Sequence, residues 1–202
     1  NKVIIVTGGS SGIGYGITTA LVAEGAIPFI IGRTEKRVLG VVEAIKKNGS
    51  QVGYAIAELT NPKECEAAIE KVVSEFGRID GLVNNAGVND GVGLENGNYE
   101  DFIKSIQRNV AHYYYMAHLA FPSLKKSQGS IVNIGSKTSL TGQGGTSGYA
   151  AANGARNSLT REWALELLPY SIRVNAVIVA ECYTPLYDKW IKTFDNPEEK
   201  LA

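Results

Sequence analysis

The sequence predicts an α/β protein, a doubly wound parallel sheet forming a single domain over residues 1–202. Three observations lead there. Short runs that are β-branched and apolar throughout alternate with longer amphipathic runs, as expected of strands buried on both faces by helices. A glycine-rich turn, Thr7-Gly8-Gly9-Ser10-Ser11-Gly12-Ile13-Gly14, separates the first apolar run from the first amphipathic one. No repeat, low-complexity tract or linker interrupts the alternation, so one domain accommodates all of it.

Taken in order, Lys2 to Val6 reads as a strand, Ile13 to Glu24 as a helix and Ile27 to Ile31 as a strand. Glu35 to Lys47 is helical and Gln51 to Ala57 a strand; Lys63 to Phe76 is helical behind the Asn61-Pro62 start signal. Gly81 to Asn84 is a strand, followed by one long, mostly apolar helix from Tyr99 to Leu124 that ends near Pro122. Ser130 to Ile134 is a strand, Gly148 to Leu168 a helix stopped by Pro169, and Ser171 to Ile178 a strand. Thr184 to Ala202 holds Trp190, Phe194 and several charges with no strand after it. It reads as a substrate lid whose structural partner, a C-terminal strand, is absent from the chain. Residue 1 is Asn and abuts the first strand, so a few native residues are expected to precede it.

Composition narrows the function. At 44% apolar and 20% charged residues the chain can bury the core of one soluble domain. Twenty basic and twenty acidic side chains cancel, which leaves no net field to favour nucleic acid or an anionic membrane. Cys65 and Cys182 have no CxxC or His partner at ligand spacing, and reduced thiols in a cytoplasmic protein are expected rather than a disulfide or zinc site. His112 and His118 lie on the long helix near Tyr113, Tyr114 and Tyr115 without an acidic ligand at matching spacing. They are read as a packed or oligomer-facing stretch, and no metal is expected. Trp163 is read as core or interface.

The chemistry concentrates in three places. Glycines in the first turn let backbone approach a pyrophosphate, and N–H groups at a helix start attract its charge. That turn, directly after the first strand, predicts dinucleotide binding. Gly32-Arg33 follows the second strand, where a ribose would lie; an acid there would bond the 2′-OH, whereas Arg33, with Arg37 a turn on, suits the 2′-phosphate of NADP(H). A solvated arginine at a helix start is the plainer alternative. Finally, Tyr149 lies thirteen positions after Ser136 (149 − 136) and four before Asn153. Residues at i and i+4 share one helix face. A hydroxyl from the end of the neighbouring strand could meet the tyrosine there, and two converging hydroxyls can protonate a carbonyl oxygen or deprotonate an alcohol. Free tyrosine titrates near pH 10, so work as a base near neutrality calls for a cation beside it. Asn153 supplies none.

TGGSSGIG, Asn84-Asn85-Ala86-Gly87, Asn109, Ser136, Tyr149 and Ile172-Arg173-Val174-Asn175-Ala176-Val177 together resemble the short-chain dehydrogenase/reductase family, over essentially the whole chain. GQGGTSGYAA, LTREWALELLPYSIRVNAV, Ala180-Glu181 and Thr184-Pro185-Leu186-Tyr187 more narrowly resemble its bacterial L-fucose-type sugar dehydrogenases. The resemblance implies a Rossmann-type fold, with Tyr149 as acid/base, Ser136 orienting the substrate oxygen and Asn109 holding a water in a proton relay. The cofactor expected from Arg33 is NADP, with NAD the alternative, and the residues expected to hold it are Gly8, Ser10, Ser11, Ile13, Gly14, Arg33, Glu58, Leu59, Asn85, Ala86, Gly87, Tyr149, Asn153 and Thr184. Substrate would meet Ser136, Gln143, Tyr149 and Glu181. A homodimer or homotetramer through the two long helices is also implied. Three positions depart from the pattern. Asn153 replaces a lysine that would bind the nicotinamide ribose and lower the tyrosine pKa. Val179-Ala180 stands where Pro-Gly is usual, Pro-Ala often replacing it in the sugar dehydrogenases. Glu58 stands where an Asp commonly contacts adenine.

The reading is an NAD(P)-dependent oxidoreductase of secondary alcohols or carbonyls, with a sugar as substrate. The alternative is a protein that binds cofactor with little or no turnover, because Asn153 cannot stabilise tyrosinate. On this reading alone, Asn153→Lys is expected to raise turnover near neutrality.

Overall fold

The computed structural model describes residues 1–192, 196 and 198. Six parallel strands, β1 (Val3–Thr7), β2 (Ile27–Gly32), β3 (Gly53–Ile56), β4 (Gly81–Asn84), β5 (Ser130–Ser136) and β6 (Arg173–Val179), lie in the order β3-β2-β1-β4-β5-β6. The order in which strands are added reverses between β1 and β4, the switch point at which doubly wound sheets open a crevice. Sequence and structure agree on the six strands, whose ends differ by up to two residues.

The helices are α1 (Gly12–Ala23), α2 (Glu35–Lys47), α3 (Pro62–Phe76), α4 (Tyr99–Ile106), α5 (His112–Ser127), α6 (Ser147–Glu166) and α7 (Pro185–Ile191). Alternate strand residues feed the two faces. Ile5, Phe29, Leu82 and Ile131 pack with Met116 and Leu124 of α5 and Trp163 of α6. On the other face Val6, Val83 and Ile134 meet Ile13 and Ile17 of α1, and Ile30 meets Val38 and Val42 of α2. Trp163 is therefore a core residue, and no helix among the described residues is long and apolar enough to cross a membrane.

Local signals explain where α3 begins and ends. Asn61 Oδ1 accepts from Lys63 N, Pro62 occupies the first turn, and Gly77 closes the helix at φ 70°.

The long helix expected from Tyr99 to Leu124 differs in two ways. A π-helical turn, Gln107–Ala111, divides it into α4 and α5, and α5 runs through Pro122 to Ser127. Proline removes one helical hydrogen bond, but Ala120 and Leu124 on either side of it are fully buried, and that packing carries the helix onward. Of the expected lid, α7 forms over Pro185–Ile191, and 193–195, 197 and 199–202, Phe194 included, lie outside the described residues. Among the described residues β6 is an edge of the sheet.

Candidate active site

Thr7, the last residue of β1, ties the two turns at the switch point together. Its Oγ accepts from Asn85 N at 2.9 Å and Ala86 N at 3.1 Å, and it donates to Val83 O at 3.3 Å. Asn85 Nδ2 returns a bond to Thr7 O at 2.9 Å. The glycine-rich turn then packs so tightly that a Cβ on Gly14 would lie 2.2 Å from Gly8 O. Gly8 itself sits at φ 68°.

Ser11, at the N-cap of α1, makes no side-chain capping bond, and the first turn of the helix holds no acid. The N–H groups that an α-helix leaves unsatisfied at its start are thus uncapped here, beside exposed Ser11 and half-buried Ser10 and Ile13. These features fit a dinucleotide pyrophosphate, which needs backbone donors at a helix start with no side chain in the way.

At the ends of β2 and β3, Arg33 Nη1 meets Glu58 Oε2 at 3.3 Å, with the arginine side chain 70% exposed. Burial opposes the Glu58 charge, but hydrogen bonds from the Thr60 amide and the Arg33 guanidinium outweigh it and hold the carboxyl below its ordinary value. Glu64 Oε2 accepts from the Glu58 amide at 2.6 Å and so fixes the turn that carries half-buried Leu59.

The residues expected to carry the reaction come from β5, α6 and the π-helical turn. Ser136 ends β5 opposite Val179 of β6, and its Oγ accepts from Thr138 N at 3.3 Å. Ser139 Oγ holds Ser136 O at 2.7 Å and in turn accepts from Asn157 Nδ2 at 2.8 Å, which ties the Ser136 turn to α6. Tyr149 lies in the first turn of α6, half-buried. Asn109 is fully buried in the π-helical turn: its Oδ1 accepts from Val88 N at 2.8 Å and its Nδ2 donates to Ser105 O at 3.0 Å. Asn153 is fully buried as well, donating from Nδ2 to Tyr149 O at 2.9 Å.

Around the expected substrate region, Gln143 is exposed on the loop before α6, and Glu181 pairs with Lys137. Thr184 caps α7 by accepting from Tyr187 N at 3.2 Å, and its methyl group leans on the glycine-rich turn, 3.5 Å from where a Gly12 Cβ would be. Ala86 and Gly87 line the turn between β4 and α4.

Sequence reasoning missed Arg156. It is 3% exposed, donates from Nε to Asn109 O at 2.7 Å and from Nη1 to Ile134 O and Asn153 Oδ1, both at 3.0 Å, and stacks 4.2 Å over the Tyr113 ring. The signal was present: 149, 153 and 156 follow the i, i+4, i+7 spacing of one helix face. His112 is also buried, with Nε2 on Arg108 O at 3.0 Å, and burial pushes its pKa down to about 4. The described residues hold no cluster of three His, Cys, Asp or Glu able to bind a metal.

The sequence pattern of the short chain dehydrogenase family matches residues 2–194. The chain belongs to that family. It is 31% identical to an L-fucose dehydrogenase of Bos taurus, over 97% of this chain and 72% of that protein. Among solved structures, the crystal structure of Cj0485 dehydrogenase superposes with a TM-score of 0.91 at 44% identity, covering 99% of this chain and 76% of that one. That of levodione reductase gives 0.92 at 29% identity, over 98% and 79%. The family's members among these relatives are oxidoreductases, and the six-stranded Rossmann-type sheet is common to the solved structures.

Proposed function

We propose that this protein is an NADP(H)-dependent oxidoreductase that interconverts a secondary alcohol and its carbonyl, with a small sugar as substrate. The observation that carries the reading is the uncapped start of α1, packed through Gly14 against the turn that Thr7 ties to Asn85. Ser136 and Tyr149 on β5 and α6 add the reacting hydroxyls.

The nicotinamide, when bound, supplies the hydride chemistry. The amides of α1 would hold the pyrophosphate, Arg33 would pair with a 2′-phosphate, and Glu58 and Leu59 would flank the adenine. Ala86 and Gly87 leave room for the ribose beside Asn85. Ser136 donates to the substrate oxygen while Tyr149 takes the hydroxyl proton in oxidation and returns it in reduction. Gln143, Glu181 and Thr184 surround a polyhydroxylated ligand with polar groups, and the L-fucose dehydrogenase relative supports a sugar. Exposed Tyr114 on α5 and Leu165 on α6 support a homodimer or homotetramer, and the unpaired thiols support a cytoplasmic location.

Asn153 favours a second reading, cofactor binding without turnover, because an amide brings no charge to the tyrosine. A panel of sugars and cyclic secondary alcohols, assayed by cofactor absorbance with NADP and with NAD, separates the two. Turnover on at least one sugar, faster with NADP, is the expected result. Tight cofactor binding with no turnover across the panel would select the second reading.

A further inference from the structure

Among the described residues the buried guanidinium of Arg156 has no carboxylate partner. Its acceptors are three carbonyl oxygens and an aromatic face, and Nη2 is buried with no hydrogen-bond partner among the described residues. Taking a cation out of water is costly unless it is paired and hydrogen-bonded, so an incompletely partnered one in a cleft is a candidate functional group. A Cβ on Gly87 would lie 2.7 Å from Nη2 and 2.9 Å from Asn109 Oδ1, so the unpartnered nitrogen abuts the turn proposed to receive the cofactor ribose.

The geometry leads from this charge to the tyrosine. Helical side chains lean toward the N-terminus, so Arg156 reaches back a turn to Asn153, whose oxygen it fixes because guanidinium can only donate. Asn153 then presents Nδ2 to the Tyr149 backbone.

We propose that Arg156 supplies the positive charge that position 153 lacks, acting through Asn153 and Asn109 as a positioning residue for Tyr149, with Nη2 left to donate to a water or cofactor oxygen beside Gly87. The proposal rests on the oxidoreductase reading for its purpose, and its geometry stands without it. The π-helical turn is part of the same device: it presents the Asn109 carbonyl to Arg156 Nε. Titratable neighbours from the adjoining elements are His112, held neutral by burial, Tyr113, pushed up to about 12 by burial, and Lys137, which is paired with Glu181.

The test is a spectroscopic tyrosinate titration of cofactor-free protein, taken as the difference between wild type and Tyr149→Phe. The Tyr149 step should move to higher pH in Arg156→Gln and keep its wild-type position in Arg156→Lys. In turnover, Arg156→Gln should lose about 10²-fold in kcat near neutrality, recoverable at high pH, with KM little changed. A Tyr149 step displaced in Arg156→Lys as far as in Arg156→Gln would overturn the proposal, and so, where Arg156→Gln does not fold, would a folded Arg156→Lys protein that loses about 10²-fold in kcat near neutrality. So would a step that does not move in a folded Arg156→Gln. Absence of turnover on every alcohol would count against the oxidoreductase reading and leave the titration result standing.

Discussion

Gly14→Ala tests the turn on which cofactor binding is argued to depend. The added methyl would lie 2.2 Å from Gly8 O, 2.6 Å from Asn85 Nδ2 and 2.8 Å from Gly8 C. Two of these neighbours are backbone, and the third belongs to a side chain bonded to Thr7 O, so no flexible group can swing aside. The turn must shift instead. Overpacking of this kind costs about 1–3 kcal/mol. In a domain of this size that lowers Tm by about 2–12 °C. A displaced turn also breaks the alignment of the α1 amides with the pyrophosphate. Charged hydrogen bonds are worth about 1.5–3 kcal/mol, so NADP affinity should fall by about 10- to 150-fold. Gly16→Ala, in the same helix with nothing within 4 Å of its Cβ, is the control, expected to keep affinity and gain up to about 1 kcal/mol of stability. Differential scanning fluorimetry and fluorescence titration with NADPH read both effects. A Gly14→Ala protein with the Tm and affinity of its Gly16→Ala counterpart would refute the reasoning.

Arg33→Ala should weaken NADP by about 1.5–3 kcal/mol and leave NAD nearly unchanged, whereas Glu58→Gln, by removing a carboxylate from the arginine, should strengthen NADP; equal effects of Arg33→Ala on both cofactors would mean a merely solvated arginine. Asn153→Lys removes the acceptor of Arg156 Nη1 and sets a second cation beside it, so Tm should fall, and adding Arg156→Gln to that variant should recover part of the loss. His112 is held neutral in the fold with a pKa near 4 against 6.5 ordinarily, so in that window the unfolded chain binds the extra proton; stability contributed by His112 is full above pH 6.5 and falls by about 3 kcal/mol as pH drops to 4, a loss His112→Gln should flatten in urea melts. Burial pushes the Cys65 thiol up to about 11, and Cys182 is exposed, so a thiol reagent should label one cysteine per native chain and two after unfolding.

The sheet was legible because its central strands β1, β2 and β4 are apolar on both faces and connections carry recognisable starts and stops, Asn61-Pro62 and Gly77 among them. The π-helical turn at 107–111 was not, because it answers to tertiary partners: Asn109 bonds Val88 and Arg156, 21 and 47 residues away in the chain. The continuation of α5 past Pro122 was hidden for the same reason, since propensity argues for a stop and burial of Leu124 overrides it. At the candidate site, the residues of the turns and of the Tyr149 stripe could be read from spacing. The cation could not be found by looking at 153 alone. Arg156 stands three residues further on, and only the fold shows it buried over Tyr113 and bonded to Asn153 and Asn109.

The most direct test of the account is Tyr149→Phe, compared with wild type for kcat on the best sugar of the panel and for NADPH affinity. A loss of about 10²- to 10⁴-fold in kcat is expected, far larger than any change in cofactor affinity, because the hydroxyl is proposed to move the proton and the α1 turn to carry most of the dinucleotide's binding. Retention of wild-type kcat in a folded Tyr149→Phe protein would contradict it.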